Sequence, residues 1–263
     1  MITVLGGGGF IGSHLVRHLD RLGLEWQAPR RDEPLAGRAL GNVIYCIGLT
    51  ADFRERPADA IEAHVCRLLD LVRSASFDSL LYLSSARLYL RSDPPAREED
   101  ELRVRPADPH DIYHLSKAAG EALTLSLGAK GRVARLSNVY GPGQDKTFLA
   151  MLLQEVRESG TIALQTAPES AKDYVSVEDV VDLLVKIALG GRHAIYNVAS
   201  GVSVTNAELT AAIARHSGCE VRIRDGAPTV SFPAIDVERV RSEFGFSPRS
   251  VLDDLPALIA SGA

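Results

Sequence analysis

The chain has no basic excess: 29 Lys and Arg stand against 34 Asp and Glu, a formal net charge of −5. Nothing is left over to neutralise a phosphate backbone, so nucleic acid is not an expected partner. It also lacks any apolar run of about 18 residues, the length a membrane-spanning helix needs. The opening Met1-Ile2-Thr3-Val4-Leu5 runs straight into glycines, without the charged and apolar regions of a signal peptide. Cysteine is scarce. Cys46, Cys66 and Cys219 are odd in number and far apart, which supports neither a disulfide frame nor a zinc site. The seven histidines are scattered without ligand spacing, so no metal is expected. Internal repeats and low-complexity segments are missing too. Reduced thiols and no targeting segment point to the cytoplasm.

What remains is ordinary for a globular protein, with 46% hydrophobic and 24% charged residues among 263. Strand-like and helix-like segments alternate. Ile2–Leu5 is a short apolar run, followed by a helix whose apolar residues Ile11, Leu15, Val16, Leu19 and Leu22 recur at helical spacing. Leu24–Ala28 reads as a weak second strand and Val43–Ile47 as a strong one. Ala58–Arg73 reads as a helix, Ser79–Ser84 as a strand, and the Pro- and charge-rich Arg91–Pro109 as a surface loop. A helix through Tyr113 and Lys117 and a strand over Gly131–Leu136 follow. This alternation predicts an α/β fold with a Rossmann-type, doubly wound parallel sheet. Beyond residue 143 the pattern loosens. Residues 1–143 are therefore expected to form the dinucleotide-binding domain, and 144–263 mainly a small α/β substrate lobe with some segments returning to the sheet.

Gly6, Gly9 and Gly12 lie between the first strand and the first helix. Glycines there allow a tight turn and close approach of the backbone to a pyrophosphate, and the helix start at Phe10 and Ile11 offers free amides. An acid about 20 residues on usually bonds the ribose 2′-hydroxyl. Here Arg30 and Arg31 come first, then Asp32. Guanidinium groups suit a 2′-phosphate, which favours NADP; Asp32 keeps NAD open.

Tyr113 and Lys117 are four residues apart, so on a helix they share a face. A free phenol titrates near 10, too high for an efficient base near neutrality, and an adjacent ammonium favours the phenolate. Ser85 follows a strand, at the end of the sheet where open α/β folds bind ligands. Its hydroxyl can hold a substrate oxygen while Tyr113 exchanges the proton.

Taken together, these motifs resemble the extended branch of the short-chain dehydrogenase/reductase superfamily, which holds nucleotide-sugar epimerases, dehydratases and reductases. Gly6–Gly12 matches the glycine spacing of that branch. Ser84-Ser85-Ala86-Arg87-Leu88-Tyr89 is similar to its Ser-Ser-x-x-Val-Tyr, and Tyr113 and Lys117 fall on its catalytic pair. Arg135–Gly143 resembles the segment lining the substrate site, and Lys172–Val177 a later Arg-Asp-Tyr/Phe motif. The resemblance implies NAD or NADP in the first lobe and a nucleotide-sugar in the cleft. It implies Ser85, Tyr113 and Lys117 as catalytic residues, with Lys117 also binding nicotinamide ribose, and a homodimer paired through helices. Asn138 and Lys172 would meet the substrate diphosphate, and Arg87 lies near enough to touch substrate.

The departures are equally informative. Only about a dozen residues separate the second strand from Val43–Ile47, so the strand and helix usually found on the adenine side are expected to be missing. The family's Asn-x-x-Gly-Thr is replaced by His64-Val65-Cys66-Arg67-Leu68. Ala86-Arg87 stands where a dehydratase has Asp-Glu, which disfavours dehydration. Reduction of a keto-sugar is preferred to epimerisation, because a trimmed adenine site and the Arg30–Arg31 pair suit an exchangeable NADPH. An NAD-dependent epimerase is the alternative. A non-catalytic NADP-binding regulator is an alternative of another class, which the intact Ser85, Tyr113 and Lys117 oppose.

Overall fold

A computed structural model describes residues 1–49, 53–230 and 232–261. The chain starts with β1 (Ile2–Leu5), α1 (Phe10–Arg21) and β2 (Trp26–Gln27), then β3 (Asn42–Tyr45). A long helical stretch follows as α2 (Pro57–Ile61), a π-helical turn over Glu62–Cys66, and α3 (Arg67–Ser74). Next come β4 (Ser79–Ser85), a 3₁₀ turn over Ala86–Tyr89, α4 (Asp111–Leu125) and β5 (Gly131–Leu136). The second half holds β6 (Asn138–Tyr140), α5 (Phe148–Ser159), β7 (Thr161–Leu164), β8 (Ala171–Ser176), α6 (Val177–Gly190), β9 (Ile195–Val198), β10 (Ser203–Thr205), α7 (Asn206–Ser217), β11 (Glu220–Ile223), α8 (Glu238–Phe244) and α9 (Val251–Ser261).

Six parallel strands form the main sheet in the order β2-β1-β3-β4-β5-β9. Its central strands are apolar on both faces because both faces are covered. Val4, Ile44, Leu81, Leu83 and Ala134 pack with Leu15 and Leu19 of α1 and with Val180, Leu183 and Leu184 of α6. Their neighbours Leu5, Val43, Tyr45, Leu80 and Tyr82 pack on the other side with Leu68 and Leu71 of α3 and Leu123 of α4. The doubly wound α/β fold expected from the alternation is therefore present. A separate apolar cluster joins α5, β7, β8, α7 and α9 through Leu149, Leu153, Ile162, Tyr174, Leu209, Ile213 and Leu255. Among the described residues, no helix is long and apolar enough to cross a membrane.

The second strand is shorter than the expected Leu24–Ala28, covering only Trp26 and Gln27. Between it and β3 there is neither helix nor named strand, only an isolated bridge from Ala39 to Ser76. The main sheet thus stops at β2, as the short spacing implies. At its other end, β9 is lined by side chains. Asn197 N–H donates to Glu98 Oε1 at 3.0 Å, and Arg239 donates to the Ile195 carbonyl at 2.7 Å. Glu98 lies in the 91–109 loop, which an inward network anchors. Arg135 forks onto Glu121 at 2.9 and 2.7 Å and also donates to Tyr89 Oη, which donates to Asn197 Oδ1.

Candidate active site

The chain leaves β1 towards β2 and returns to the opposite side of β1 at β3. Ligands bind beyond the carboxyl ends of strands at such a reversal. Two loops meet there, Gly6–Gly9 after β1 and Cys46–Leu49 after β3. A Cβ on Gly12 would lie 2.2 Å from the Gly6 carbonyl oxygen, so only glycine lets α1 start this close to the turn. Gly9 caps α1 without a side-chain bond, and the first turn holds no acid. The amides of Phe10, Ile11 and Gly12 have no intrahelical acceptor and face an anion-favouring dipole end. Gly8 and Gly9 are exposed, and a Cβ on Gly8 would meet nothing within 4 Å. This open cradle fits a dinucleotide pyrophosphate. Arg30 and Arg31 lie exposed just beyond β2, and neither makes an ion pair among the described residues. No acid ends β2; Gln27 occupies that place.

Ser85 is the last residue of β4 and is 8% exposed; its Oγ accepts from Arg87 N–H at 3.2 Å. Across from it, α4 carries Tyr113 and Lys117, both buried. The Tyr113 ring is wedged between Phe53, at 5.0 Å, and His64, at 5.5 Å edge-on. Lys117 Nζ donates to the Leu83 carbonyl at 2.7 Å and lies 5.0 Å from the Tyr82 ring centre. A Cβ on Gly48 would come within 3.5 Å of that nitrogen, so the loop after β3 runs directly over it.

Burial pulls the Lys117 ammonium down to about 7, with Glu121 and Cys46 pulling back. The same amine in the unfolded chain titrates near 10.5. Between those values the unfolded chain holds a proton that the folded chain has released, so this group makes stability rise with pH from about 7 to about 10.5. Lys117→Met should remove that dependence. In urea melts of cofactor-free protein, the variant's stability relative to the parent should be highest below about pH 7 and decline steadily towards pH 10.

His64 is a site residue that the histidine spacing did not single out. It sits in the π turn, a local widening often found at functional sites. Its Nε2 accepts from Leu49 N–H at 3.1 Å, which assigns the proton to Nδ1. Nδ1–H then donates to Ser116 Oγ at 2.8 Å, and Ser116 donates to the Tyr113 carbonyl at 2.9 Å. Burial, with help from the Lys117 charge, pushes the imidazole down to about 2, so the ring stays neutral. Gly120 permits this packing, since a Cβ there would lie 2.4 Å from Tyr82 Oη and 2.8 Å from the His64 carbonyl. The sequence signal was present only as a departure, His64 standing where the resembled family has Asn.

The residues expected to meet substrate form the far wall. Asn138 opens β6 and donates to the Asp173 carbonyl at 2.8 Å. Lys172, beside Asp173 on β8, lies 3.5 Å from the centre of the Phe148 ring. Burial and the nearby Arg87 charge hold its amine down at about 8. Arg87 lies close to the Ser85 and Tyr113 side of the site, its backbone N–H donating to Ser85 Oγ and its guanidinium carbon 6.0 Å from the Tyr113 ring centre. The Asp173 carboxylate points away, accepting from Ser200 N–H at 2.9 Å, Gly201 N–H at 2.7 Å and Val202 N–H at 3.2 Å.

Open parallel sheets with a glycine turn at the reversal are the architecture of dinucleotide-dependent α/β enzymes. Residues 35–199 match the NAD dependent epimerase/dehydratase family, and the chain belongs to that family as an NAD(P)-dependent enzyme. It is 26% identical over 298 aligned residues to a dTDP-4-dehydro-6-deoxy-D-allose reductase from a Streptomyces species, spanning 94% of this chain and 91% of that one. Two solved structures share the fold. RMD from Pseudomonas aeruginosa, complexed with NADPH, is 23% identical with a TM-score of 0.81 over 99% of this chain and 98% of that one. MoeE5, in complex with UDP-glucose and NAD, is also 23% identical at a TM-score of 0.81, over 98% and 97%.

Proposed function

We propose that the protein is an NADPH-dependent reductase acting on a keto carbon of a nucleotide-activated sugar. The observation that carries this reading is the convergence of Ser85, the Tyr113 ring and Lys117 beside the amide cradle of α1. The name of the Streptomyces relative, a reductase of a dTDP-linked keto-sugar, supports it. So do the nucleotide ligands of the two structural neighbours.

A bound nicotinamide would supply the hydride. The chain's own groups do the rest. Ser85 Oγ–H donates to the substrate carbonyl oxygen, and Tyr113 Oη delivers the proton that turns it into a hydroxyl. Lys117, positioned by the Leu83 carbonyl, bonds the nicotinamide ribose and favours the Tyr113 phenolate left behind. Gly6, Gly9, Phe10, Ile11 and Gly12 hold the pyrophosphate by backbone contact. Arg30 and Arg31 read a 2′-phosphate, and Asn138 and Lys172 hold the sugar's diphosphate. Residues 144–263 supply the Lys172 side of that wall.

The test is a titration of the purified chain with NADPH, NADP, NADH and NAD, with a check for cofactor that co-purifies. Exchangeable NADPH binding well above NADH supports the reductase. Tightly retained NAD favours the epimerase instead. The double variant Arg30→Ala/Arg31→Ala should lose about 10²- to 10⁴-fold in affinity for NADPH and little for NADH, because each of the two charge-assisted bonds contributes roughly 1.5–3 kcal/mol.

A further inference from the structure

Arg87 is half-buried in the cleft and forms no ion pair among the described residues. Its guanidinium carbon lies 5.9 Å from the Phe53 ring centre, 6.0 Å from Tyr113 and 5.7 Å from Phe232. Its Nε is buried without a hydrogen-bond partner. The charges that act on it are the Tyr113 phenol, when ionised, and the Arg54 cation. The rest of the chain treats inward-facing arginines differently. Arg135 forks onto Glu121, Arg91 bonds Asp111 and Asp108, and Arg239 meets Glu98 and Glu99.

A buried Nε–H without an acceptor is costly, because it has left water without a replacement. A fold that gives Arg135, Arg91 and Arg239 carboxylate partners but leaves Arg87 without one among the described residues offers a place for an anion from outside. The position narrows the choice of anion. Arg87 is two residues beyond Ser85 and against the Tyr113 ring, so it borders the reacting carbon. The diphosphate leaves the ring at the anomeric carbon and reaches towards Asn138 and Lys172. An anion beside Tyr113 therefore belongs to the sugar ring itself. A planar carboxylate fits the guanidinium fork, and the three surrounding rings leave little room for bulkier anions beside it.

Resting on the nucleotide-sugar reading above, we infer that Arg87 selects substrates whose sugar carries a carboxylate next to the reacting carbon, that is, nucleotide-linked uronic acids over neutral hexoses.

The experiment compares binding of UDP-glucuronic acid, UDP-glucose, UDP and dTDP to the full chain loaded with cofactor, by calorimetry. The expected result is at least tenfold tighter binding of the uronic acid than of the hexose. Arg87→Gln should bring that ratio to about one while leaving UDP unchanged, and Arg87→Lys should keep part of it. Equal affinity of the parent for uronic acid and hexose would overturn the inference. So would an Arg87→Gln variant that weakens UDP as much as the uronic acid, since Arg87 would then be a diphosphate contact. The parent's ratio decides the matter even if the glutamine variant fails to fold. If neither UDP nor dTDP binds, the nucleotide-sugar reading itself falls, and this inference with it.

Discussion

Tyr113→Phe should lower turnover by about 10²- to 10⁴-fold, the usual contribution of a positioned acid or base. The substitution is clean because the ring is held by Phe53 and His64 on its sides, contacts that phenylalanine keeps. Only the hydroxyl is lost. Cofactor affinity should change little, since Lys117 keeps its bond to the Leu83 carbonyl and the amide cradle is remote. The measurement is single-turnover oxidation of bound NADPH, alongside a cofactor titration of the same variant. Loss of turnover with binding intact places the proton transfer on this phenol. Turnover near the parent's would assign the proton to another group.

Arg135→Met should be the most destabilising single change outside the core. Arg135 and Glu121 are each about 3% exposed and share two short bonds. Removing the guanidinium strands a carboxylate in the interior, which typically costs about 3–5 kcal/mol. Replacing both partners removes the stranded charge, so Arg135→Met/Glu121→Met should recover most of the loss in a urea melt. Activity should follow a different course. Glu121 is the carboxylate that holds the Lys117 proton against burial. Without it the ammonium is lost at lower pH, so the double variant should be stable yet lose activity earlier as pH rises. If stability and the pH profile were restored together, Glu121 would have no electrostatic role at Lys117.

The parts of this molecule legible in the sequence are those encoded over a few consecutive residues. The apolar runs of β1, β3 and β4 could only be covered on both faces, and the helical spacing of Leu15 and Leu19 gave α1. Ser85, Tyr113 and Lys117 were readable because a strand end and one helix face suffice to place them. The widened turn at Glu62–Cys66 was not, since an extra residue in a helical turn leaves composition and approximate period unchanged. Nor was the His64 relay, which joins Leu49, His64 and Ser116 from three segments. The aromatic surround of Arg87 is assembled from residues 53, 113 and 232, a separation no local pattern records. The late elements β11 and α9 escaped for a chemical reason: Glu220-Val221-Arg222-Ile223 is half charged, and Pro256 interrupts a helical pattern.

The two ends of the main sheet have a consequence for the protein in a crowded solution. An edge strand presents a row of unpaired amides and carbonyls on which another chain can grow. Here one edge is β2, two residues long and closed by Pro29 and charged arginines, too short to template a foreign strand. The other is β9, whose outward Asn197 amide and Ile195 carbonyl are already satisfied by Glu98 and Arg239. The main sheet is thus closed to edge-to-edge growth.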